Sequence, residues 1–102
     1  MSQINNLNIP KIIGHRGVKN LAPENTLISI LEAIKIGLKW VEVDVKISRD
    51  EIPFLLHDSS LNRTTNGFGE ANLYNYSEIK KLDAGKFFYK KNTNIFVPKL
   101  ED

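Results

Sequence analysis

Two histidines and two carboxylates are the residues of this sequence best suited to proton transfer or to holding a charged ligand. His15 is followed directly by Arg16, and His57 is followed by Asp58. Histidine exchanges protons near neutral pH, and arginine forks onto phosphate oxygens. A single histidine beside a strand is more often structural or merely exposed. A site is therefore indicated only if other reactive residues lie next to these two.

Glu42 and Asp44 supply such residues within the alternating segment Trp40–Ile47. Residues two apart on a strand share a face, with Cα atoms about 6.6 Å apart. The simpler interpretation is a half-exposed sheet, apolar inside and polar outside. In a sheet covered on both faces, however, two carboxylates repel each other unless a cation lies between them. An oxygen-rich site in a chain without cysteine suits Mg²⁺ or Ca²⁺.

A βαβ unit is predicted to position these residues. An apolar run at Ile12-Ile13 predicts a short strand that ends at His15, and Trp40–Ile47 predicts a second strand. The intervening helix ends at Gly37, which suits a left-handed cap. Two strands joined by a helix favour parallel pairing. The helix is expected to cover the sheet with four apolar residues in the spacing of one helical face: Leu27, Ile30, Leu31 and Ile34.

A third strand at 52–57 follows too closely for a parallel crossover, so a hairpin is predicted. If Asp50-Glu51 is its two-residue loop, the register places Asp44 opposite His57, where side chains share a face. A slip of one residue would remove that pairing. With it, both histidines, both acids and Arg16 form a constellation suited to metal-assisted phosphoryl chemistry.

The C-terminal third carries weaker signals. Residues 77–82 predict a short helix capped by Ser77. Residues 87–96 are interpreted as loop with a short strand. The final segment 97–102 places acids after a proline, which is typical of a helix start.

Composition excludes several function classes. The chain has 102 residues and a net charge of +2, from 14 basic and 12 acidic residues spread along it. One domain is expected, and a dedicated nucleic-acid binder is not. The absence of cysteine excludes disulfides and thiolate chemistry. Residues 1–10 lack the pattern of a signal peptide, and no apolar stretch approaches the roughly 20 residues of a membrane span. We therefore expect a cytoplasmic protein without a membrane span.

Six motifs resemble the glycerophosphodiester phosphodiesterase family, in the family's order and at family-like spacing. One such motif is weak evidence, but an ordered set is specific. The motifs are Gly14-His15-Arg16-Gly17, Ala22-Pro23-Glu24-Asn25-Thr26, Glu42-Val43-Asp44-Val45, His57-Asp58, Arg63-Thr64-Thr65-Asn66-Gly67 and Val97-Pro98-Lys99-Leu100-Glu101.

The resemblance implies an α/β fold, a TIM-type (β/α)₈ barrel with its site at the carboxyl ends of the strands. It also implies metal-dependent hydrolysis of glycerophosphodiesters to an alcohol and glycerol phosphate, with Mg²⁺ or Ca²⁺. The substrate's own glycerol hydroxyl would attack phosphorus, and water would then open the cyclic phosphate. The implied roles are an acid–base pair in His15 and His57, metal ligands in Glu42 and Asp44, a phosphate-binding Arg16, and a site edge formed by Glu24 and Asn25.

The sequence departs from the family in length and in two details. A TIM barrel needs about 250 residues, so residues 1–102 are expected to be its N-terminal fragment, with the first two or three strand–helix units. The family's further metal-binding glutamate lies on a later strand. Glu78-Ile79-Lys80 resembles it but falls in a predicted helix, so we interpret it as a decoy. Asp50-Glu51 replaces the usual Asp-Gly turn, which disfavours a tight two-residue hairpin.

Three interpretations follow. In the leading one, the chain is an enzyme fragment that is inactive alone and is completed by a complementary C-terminal fragment or by self-association. In the second, it is a truncated non-catalytic remnant or binding module that keeps the motifs. The third, a self-contained metal-binding α/β domain, is opposed by the ordered motif set.

Overall fold

The computed structural model describes residues 12–102. Residues 1–10, for which we predict no signal peptide, lie outside the described residues. A single 3₁₀ turn at Ala71–Leu73 accompanies four short strands and three helices in the described part. They are β1 Gly14–His15, α1 Leu27–Lys35, β2 Val41–Glu42, β3 Val45–Ile47, β4 Pro53–Leu55, α2 Tyr76–Ile79 and α3 Lys86–Tyr89.

The predicted βαβ unit is confirmed. β1 and β2 pair in parallel, with Gly14 opposite Val41 and His15 opposite Glu42. Thr26 caps the N-terminus of α1, and its side chain accepts a hydrogen bond from the Ser29 N–H at 3.2 Å. These pairings bring His15 and Glu42 to the same point of the sheet.

The C-terminus of α1 forms the predicted glycine cap. Gly37 has a φ of +87°, a conformation that glycine adopts without steric cost. The Gly37 N–H donates to the Ile34 carbonyl, and the Leu38 N–H donates to the Ala33 carbonyl, each at 3.0 Å. This hydrogen-bond pair is the Schellman motif, and it turns the chain toward β2.

The predicted apolar face of α1 is not the face that packs. Ser29 and Ala33 are 0% exposed, whereas Leu31 and Ile34 are 57% and 62% exposed. Residues four apart share a helical face, so Ser29 and Ala33 lie on the side away from Leu31 and Ile34. The small residues allow α1 to approach the loop after β1 closely. Within residues 12–102 the predicted stripe is therefore only partly buried: Leu27 and Ile30 are half-buried, and Leu31 and Ile34 are exposed.

The predicted single strand Trp40–Ile47 is also wrong. It breaks at Val43-Asp44, so that β2 pairs with β1 while β3 pairs with β4 in a second two-stranded sheet. Glu42 and Asp44 consequently do not lie on one regular strand. Whether they share a site depends on other contacts.

The hairpin of β3 and β4 exists, but its register is one residue away from the prediction. Lys46 lies opposite Phe54, and the Asp44 carbonyl accepts the Leu56 N–H at 3.0 Å. Asp44 is therefore opposite Leu56 and not His57. The cause is a three-residue loop at 49–51, in which Glu51 adopts a left-handed φ of 65°.

The main core packs on the second sheet. Its largest fully buried side chains are Phe54, Leu61, Ile79 and Val97. The segment predicted to start a helix at 97–102 instead forms a bridge, with Lys99 opposite Phe54, and then a turn. The Tyr76 hydroxyl donates to the Val97 carbonyl at 2.6 Å. This core holds β4, and thus the residues that follow it.

The two short helices differ from their predictions in detail. α2 is capped at Asn75, whose N–H donates to the Glu78 side chain at 3.1 Å, and not at Ser77. Glu78 therefore has a capping role, in line with its interpretation as a decoy. The helix α3 at 86–89 overlaps the start of the loop with a short strand that is predicted at 87–96. Lys90 ends α3 with a φ of 59°.

In the described part of the chain, none of the helices has the length and apolar character required to cross a membrane.

Glu51→Gly is expected to stabilise the fold. Glu51 occupies a left-handed conformation that costs a residue with a Cβ roughly 1–2 kcal/mol, whereas glycine costs about 0.5–1 kcal/mol in lost chain entropy. The free energy of unfolding in urea should rise by roughly 0.5–1 kcal/mol. Glu101→Gly, in an exposed turn with negative φ, is the matched control and should bring no gain. Equal losses in both variants would contradict the assignment of strain to Glu51.

Candidate active site

The candidate site lies where strands end. His15 is the last residue of β1 and Arg16 follows it, Glu42 is the last residue of β2, and His57 comes two residues after β4. In parallel α/β structures, ligands bind at the carboxyl ends of the strands. The structure therefore gathers the predicted residues at the expected edge.

Arg16 is the centre of the first cluster. Its backbone N–H donates to Glu42 Oε1 at 3.2 Å, and its Nη1 donates to Glu24 Oε2 at 3.0 Å. Its Nε lies 3.6 Å from Asp44 Oδ2. Only 15% of the Arg16 side chain is exposed. Glu42 and Asp44 therefore meet around Arg16, although they are not neighbours on one strand.

The backbone at Arg16 is left-handed and is locked from α1. Arg16 and Gly17 have φ values of 53° and 79°. The buried Ser29 hydroxyl donates to the Arg16 carbonyl at 3.1 Å and accepts the Val18 N–H. A Cβ on Gly17 would lie 2.2 Å from Ser29 Oγ, so only glycine fits. The sequence prediction did not include Ser29. The only signal for Ser29 is that it is a polar residue on the α1 face that carries the small residue Ala33.

Asn25 ties Asp44 to this loop. Its Nδ2 donates to Asp44 Oδ2 at 3.2 Å, and its Oδ1 accepts the Asp44 N–H at 3.1 Å. Its own N–H donates to the Arg16 carbonyl at 2.9 Å, and its φ of 55° is left-handed. Asn25 is 3% exposed. The residue predicted at the site's edge is thus buried between the two predicted site residues that it connects.

The two histidines lie in different settings. His15 Nε2 is 3.9 Å from Glu42 Oε1, and both side chains are about half exposed. His57 Nδ1 lies 2.8 Å from Asp58 Oδ1, within hydrogen-bond distance. His57 therefore reaches the site through Asp58 and not through the predicted pairing with Asp44.

Arg63 joins the Arg16 cluster to the pair formed by His57 and Asp58. Its Nε donates to Asp58 Oδ2 at 2.9 Å, and its Nη1 donates to Glu24 Oε1 at 2.8 Å. Sequence reasoning quoted Arg63 only as part of a motif and gave it no role. Its signal was a lone arginine in a polar loop, which does not reveal its partners.

The ion pairs set the protonation of two carboxyls. Hydrogen bonds from Arg63 and then from His57 hold the pKa of Asp58 well below its usual range. Burial alone would raise the pKa of Glu24, but hydrogen bonds and charge from Arg63 and Arg16 lower it overall. Both carboxylates are consequently ionised at neutral pH, and both act only as hydrogen-bond acceptors.

Glu42 and Asp44 offer carboxylate oxygens, the kind of ligand that a hard divalent cation prefers. Glu42 Oε2 and Asp44 Oδ1 accept no hydrogen bond from residues 12–102. Over the same residues, no group of three or more histidine, aspartate or glutamate side chains is arranged to hold a metal. Glu42 and Asp44 therefore bring two carboxylates to this cluster, and the described residues add no third side chain of this kind to them.

Comparison with known proteins bears directly on this cluster. The profile of the glycerophosphoryl diester phosphodiesterase family matches residues 15–102. The chain belongs to this family. A glycerophosphodiester phosphodiesterase of Bacillus altitudinis is 40% identical over 92 residues, which is 90% of this chain and 38% of that protein.

Solved structures of the glycerophosphodiester phosphodiesterase family share the fold. The enzyme from Agrobacterium tumefaciens has a TM-score of 0.84 and 40% identity, over 90% of this chain and 40% of that one. A phosphodiesterase of Oleispira antarctica, in complex with the product sn-glycerol-3-phosphate, has a TM-score of 0.87 and 43% identity, over 90% and 37%. The chain thus forms part of a TIM-type barrel and spans less than half of these relatives.

Lowering the pH should destabilise the fold, because Asp58 and Glu24 then become protonated. A carboxyl whose folded pKa is depressed stabilises the fold above its unfolded pKa of about 4, and this contribution is lost as the pH falls further. In Arg63→Gln the depression is reduced, because only His57 at Asp58 and Arg16 at Glu24 still lower the pKa. Its deficit in unfolding free energy, measured in urea, should be complete above about pH 5 and should close as the pH falls below about 4.

Arg49→Gln is the control for this titration, because Arg49 pairs with Glu78 on an exposed surface. Its deficit should stay small and nearly constant with pH. A deficit of Arg63→Gln that is independent of pH would contradict the ionic role of Arg63.

Proposed function

We propose that this chain supplies the His15, Arg16, Glu42, Asp44 and His57 side of an active site that hydrolyses glycerophosphodiesters to an alcohol and glycerol phosphate. The observation that carries the proposal is the Arg16-centred cluster at the carboxyl ends of the strands. Membership of the family supports it. So does the product sn-glycerol-3-phosphate in the Oleispira antarctica relative.

Arg16 is suited to hold the phosphate. Its Nε is buried and has no hydrogen-bond partner among residues 12–102. A buried N–H without an acceptor is costly, and a phosphate oxygen would satisfy it with a charge-assisted bond. Glu24 anchors Nη1 of the same guanidinium, so its orientation is set before a ligand arrives.

The histidines supply proton transfer. One removes the proton from the glycerol hydroxyl, whose oxygen attacks phosphorus, and the other protonates the alcohol oxygen as its bond to phosphorus breaks. Water then opens the cyclic phosphate and yields glycerol phosphate. Asp58 accepts a hydrogen bond from Nδ1 of His57, which leaves Nε2 as the exchanging atom. His15 Nε2 lies beside Glu42.

Glu42 and Asp44 would hold a divalent cation, Mg²⁺ or Ca²⁺, together with ligands from outside the described residues. When bound, such an ion stabilises negative charge on the phosphate oxygens. Asn25 keeps Asp44 in place through two hydrogen bonds. Completion of the ligand set, and with it turnover, would depend on the remainder of the barrel.

Loss of either histidine is expected to remove most activity. A positioned proton donor or acceptor typically contributes about 10²–10⁴-fold to the rate. His15→Ala and His57→Ala should each lower kcat by that factor, measured with glycerophosphocholine in the smallest form of the protein that turns it over. Unchanged circular dichroism is the control for folding. Near-normal turnover in either variant would remove that histidine from the mechanism.

Asp44→Asn is expected to raise the metal concentration needed for half-maximal activity. The amide keeps the shape of the side chain but loses the charge that a hard cation prefers. Activity is titrated with Mg²⁺ and with Ca²⁺ after removal of metal by a chelator. Glu101→Gln, on the exposed turn, is the matched control. Full activity of the chelated wild type would contradict the metal assignment.

A non-catalytic binding module remains the competing outcome of these assays. Binding of sn-glycerol 3-phosphate without turnover, in every form of the protein, would favour it over the enzyme.

A further inference from the structure

Arg63 uses all three guanidinium nitrogens on two carboxylates. Nε and Nη2 donate to the two oxygens of Asp58, at 2.9 and 3.1 Å. Nη1 and Nη2 donate to the two oxygens of Glu24, at 2.8 and 3.0 Å. A planar, bidentate fork fixes direction as well as distance, which a lysine ammonium cannot do. With its nitrogens so engaged, Arg63 is unsuited to bind a phosphate itself.

Each of these two carboxylates also contacts a second residue, one that has a proposed chemical role. Glu24 Oε2 also accepts from Arg16 Nη1 at 3.0 Å, and Asp58 Oδ1 lies 2.8 Å from His57 Nδ1. One path of charge-assisted hydrogen bonds therefore runs from Arg16 to His57 through Glu24, Arg63 and Asp58.

The path spans the two sheets. Arg16 follows β1 of the first sheet, and His57 follows β4 of the second. Because the predicted pairing of Asp44 with His57 is absent, the strand register does not place His57 against the first cluster. The arginine fork supplies a direct link between these two parts of the site.

The same path determines which nitrogen of His57 carries the proton. Asp58 is paired with Arg63 and ionised, so it only accepts hydrogen bonds. His57 must therefore donate from Nδ1, and the neutral ring then keeps its lone pair on Nε2. An imidazole free of Asp58 would exchange between both tautomers.

We propose that Arg63 is a positioning residue, which holds the ring and the Nδ1-protonated tautomer of His57 in a fixed relation to the Arg16 guanidinium. This inference rests on the proposed function and extends it to a residue that does not touch substrate. A half-exposed ion pair typically stabilises a fold by about 0–1 kcal/mol. We therefore expect Arg63 to matter more for orientation than for stability.

The first test reads the tautomer and needs no activity. Long-range ¹H–¹⁵N spectra of the 102-residue chain, at about pH 8, report which ring nitrogen carries the proton. Wild-type His57 should show protonated Nδ1. In Arg63→Gln, Asp58 stays ionised but loses the fork that orients it towards Nδ1, so both ring nitrogens should shift toward averaged values. Arg49→Gln should leave them unchanged. A wild-type His57 protonated at Nε2, or an Arg63→Gln spectrum identical to wild type, would overturn the proposal.

A second variant guards against loss of folding in Arg63→Gln. Arg63→Lys keeps the charge but not the fork, so the tautomer should be only partly restored. If neither variant folds, the wild-type spectrum alone still decides between the Nδ1 and Nε2 assignments.

The kinetic test uses the smallest form that turns over glycerophosphocholine. Misplacement of a reacting group by about 1 Å can cost about 10²-fold in rate, so kcat of Arg63→Gln should fall by about that factor with KM nearly unchanged. Arg63→Lys should recover part of kcat. A rise in KM alone would overturn the positioning role. Absence of turnover in every wild-type form would instead refute the proposed function, while the tautomer measurement would still decide the role of Arg63.

Discussion

The site depends on the guanidinium of Arg16, a residue whose backbone conformation is strained. Arg16 has a left-handed backbone, and such a conformation persists in a residue with a Cβ only where its surroundings fix it. Here they do so from three directions: Ser29 holds its carbonyl, Glu42 its N–H, and Glu24 its Nη1. The packing of α1 follows from the same constraint. Ser29 on its small face hydrogen-bonds the Arg16 carbonyl, while Leu31 and Ile34 stay exposed in the described part of the chain.

Local signals in the sequence predicted the elements that local chemistry controls. Glycine favours a left-handed helix cap, and strand–helix–strand spacing favours parallel pairing. Both predictions were confirmed. The hairpin was predicted but its register was not. A left-handed Glu51 lengthens the loop, and Asp50 accepts the Tyr76 N–H from 26 residues away. Such a contact is invisible in a short window of sequence.

The candidate site likewise has one part that could be predicted from the sequence and one part that could not. Strand geometry indicated that His15, Arg16, Glu42 and Asp44 would gather. In the structure they do, although the predicted strand is broken. The route to His57 could not be predicted, because it depends on the Arg63 side chain, which links Glu24 to Asp58. Ser29 and Arg63 carry no pattern of their own. Only the fold shows what they hold.

Under the proposed function, the charge balance of this cluster favours a bound cation when the substrate is a phosphodiester. Four carboxylates, those of Glu24, Glu42, Asp44 and Asp58, surround only two guanidiniums. Arg63 uses four of its five N–H donors on Glu24 and Asp58. A phosphodiester is itself an anion, so it would approach Glu42 and Asp44 against like charge. Repulsion of this kind is strong where water is excluded. A divalent cation held by Glu42 and Asp44 would turn this repulsion into attraction. Arg16, whose guanidinium is oriented by Glu24, would then also bind the phosphate.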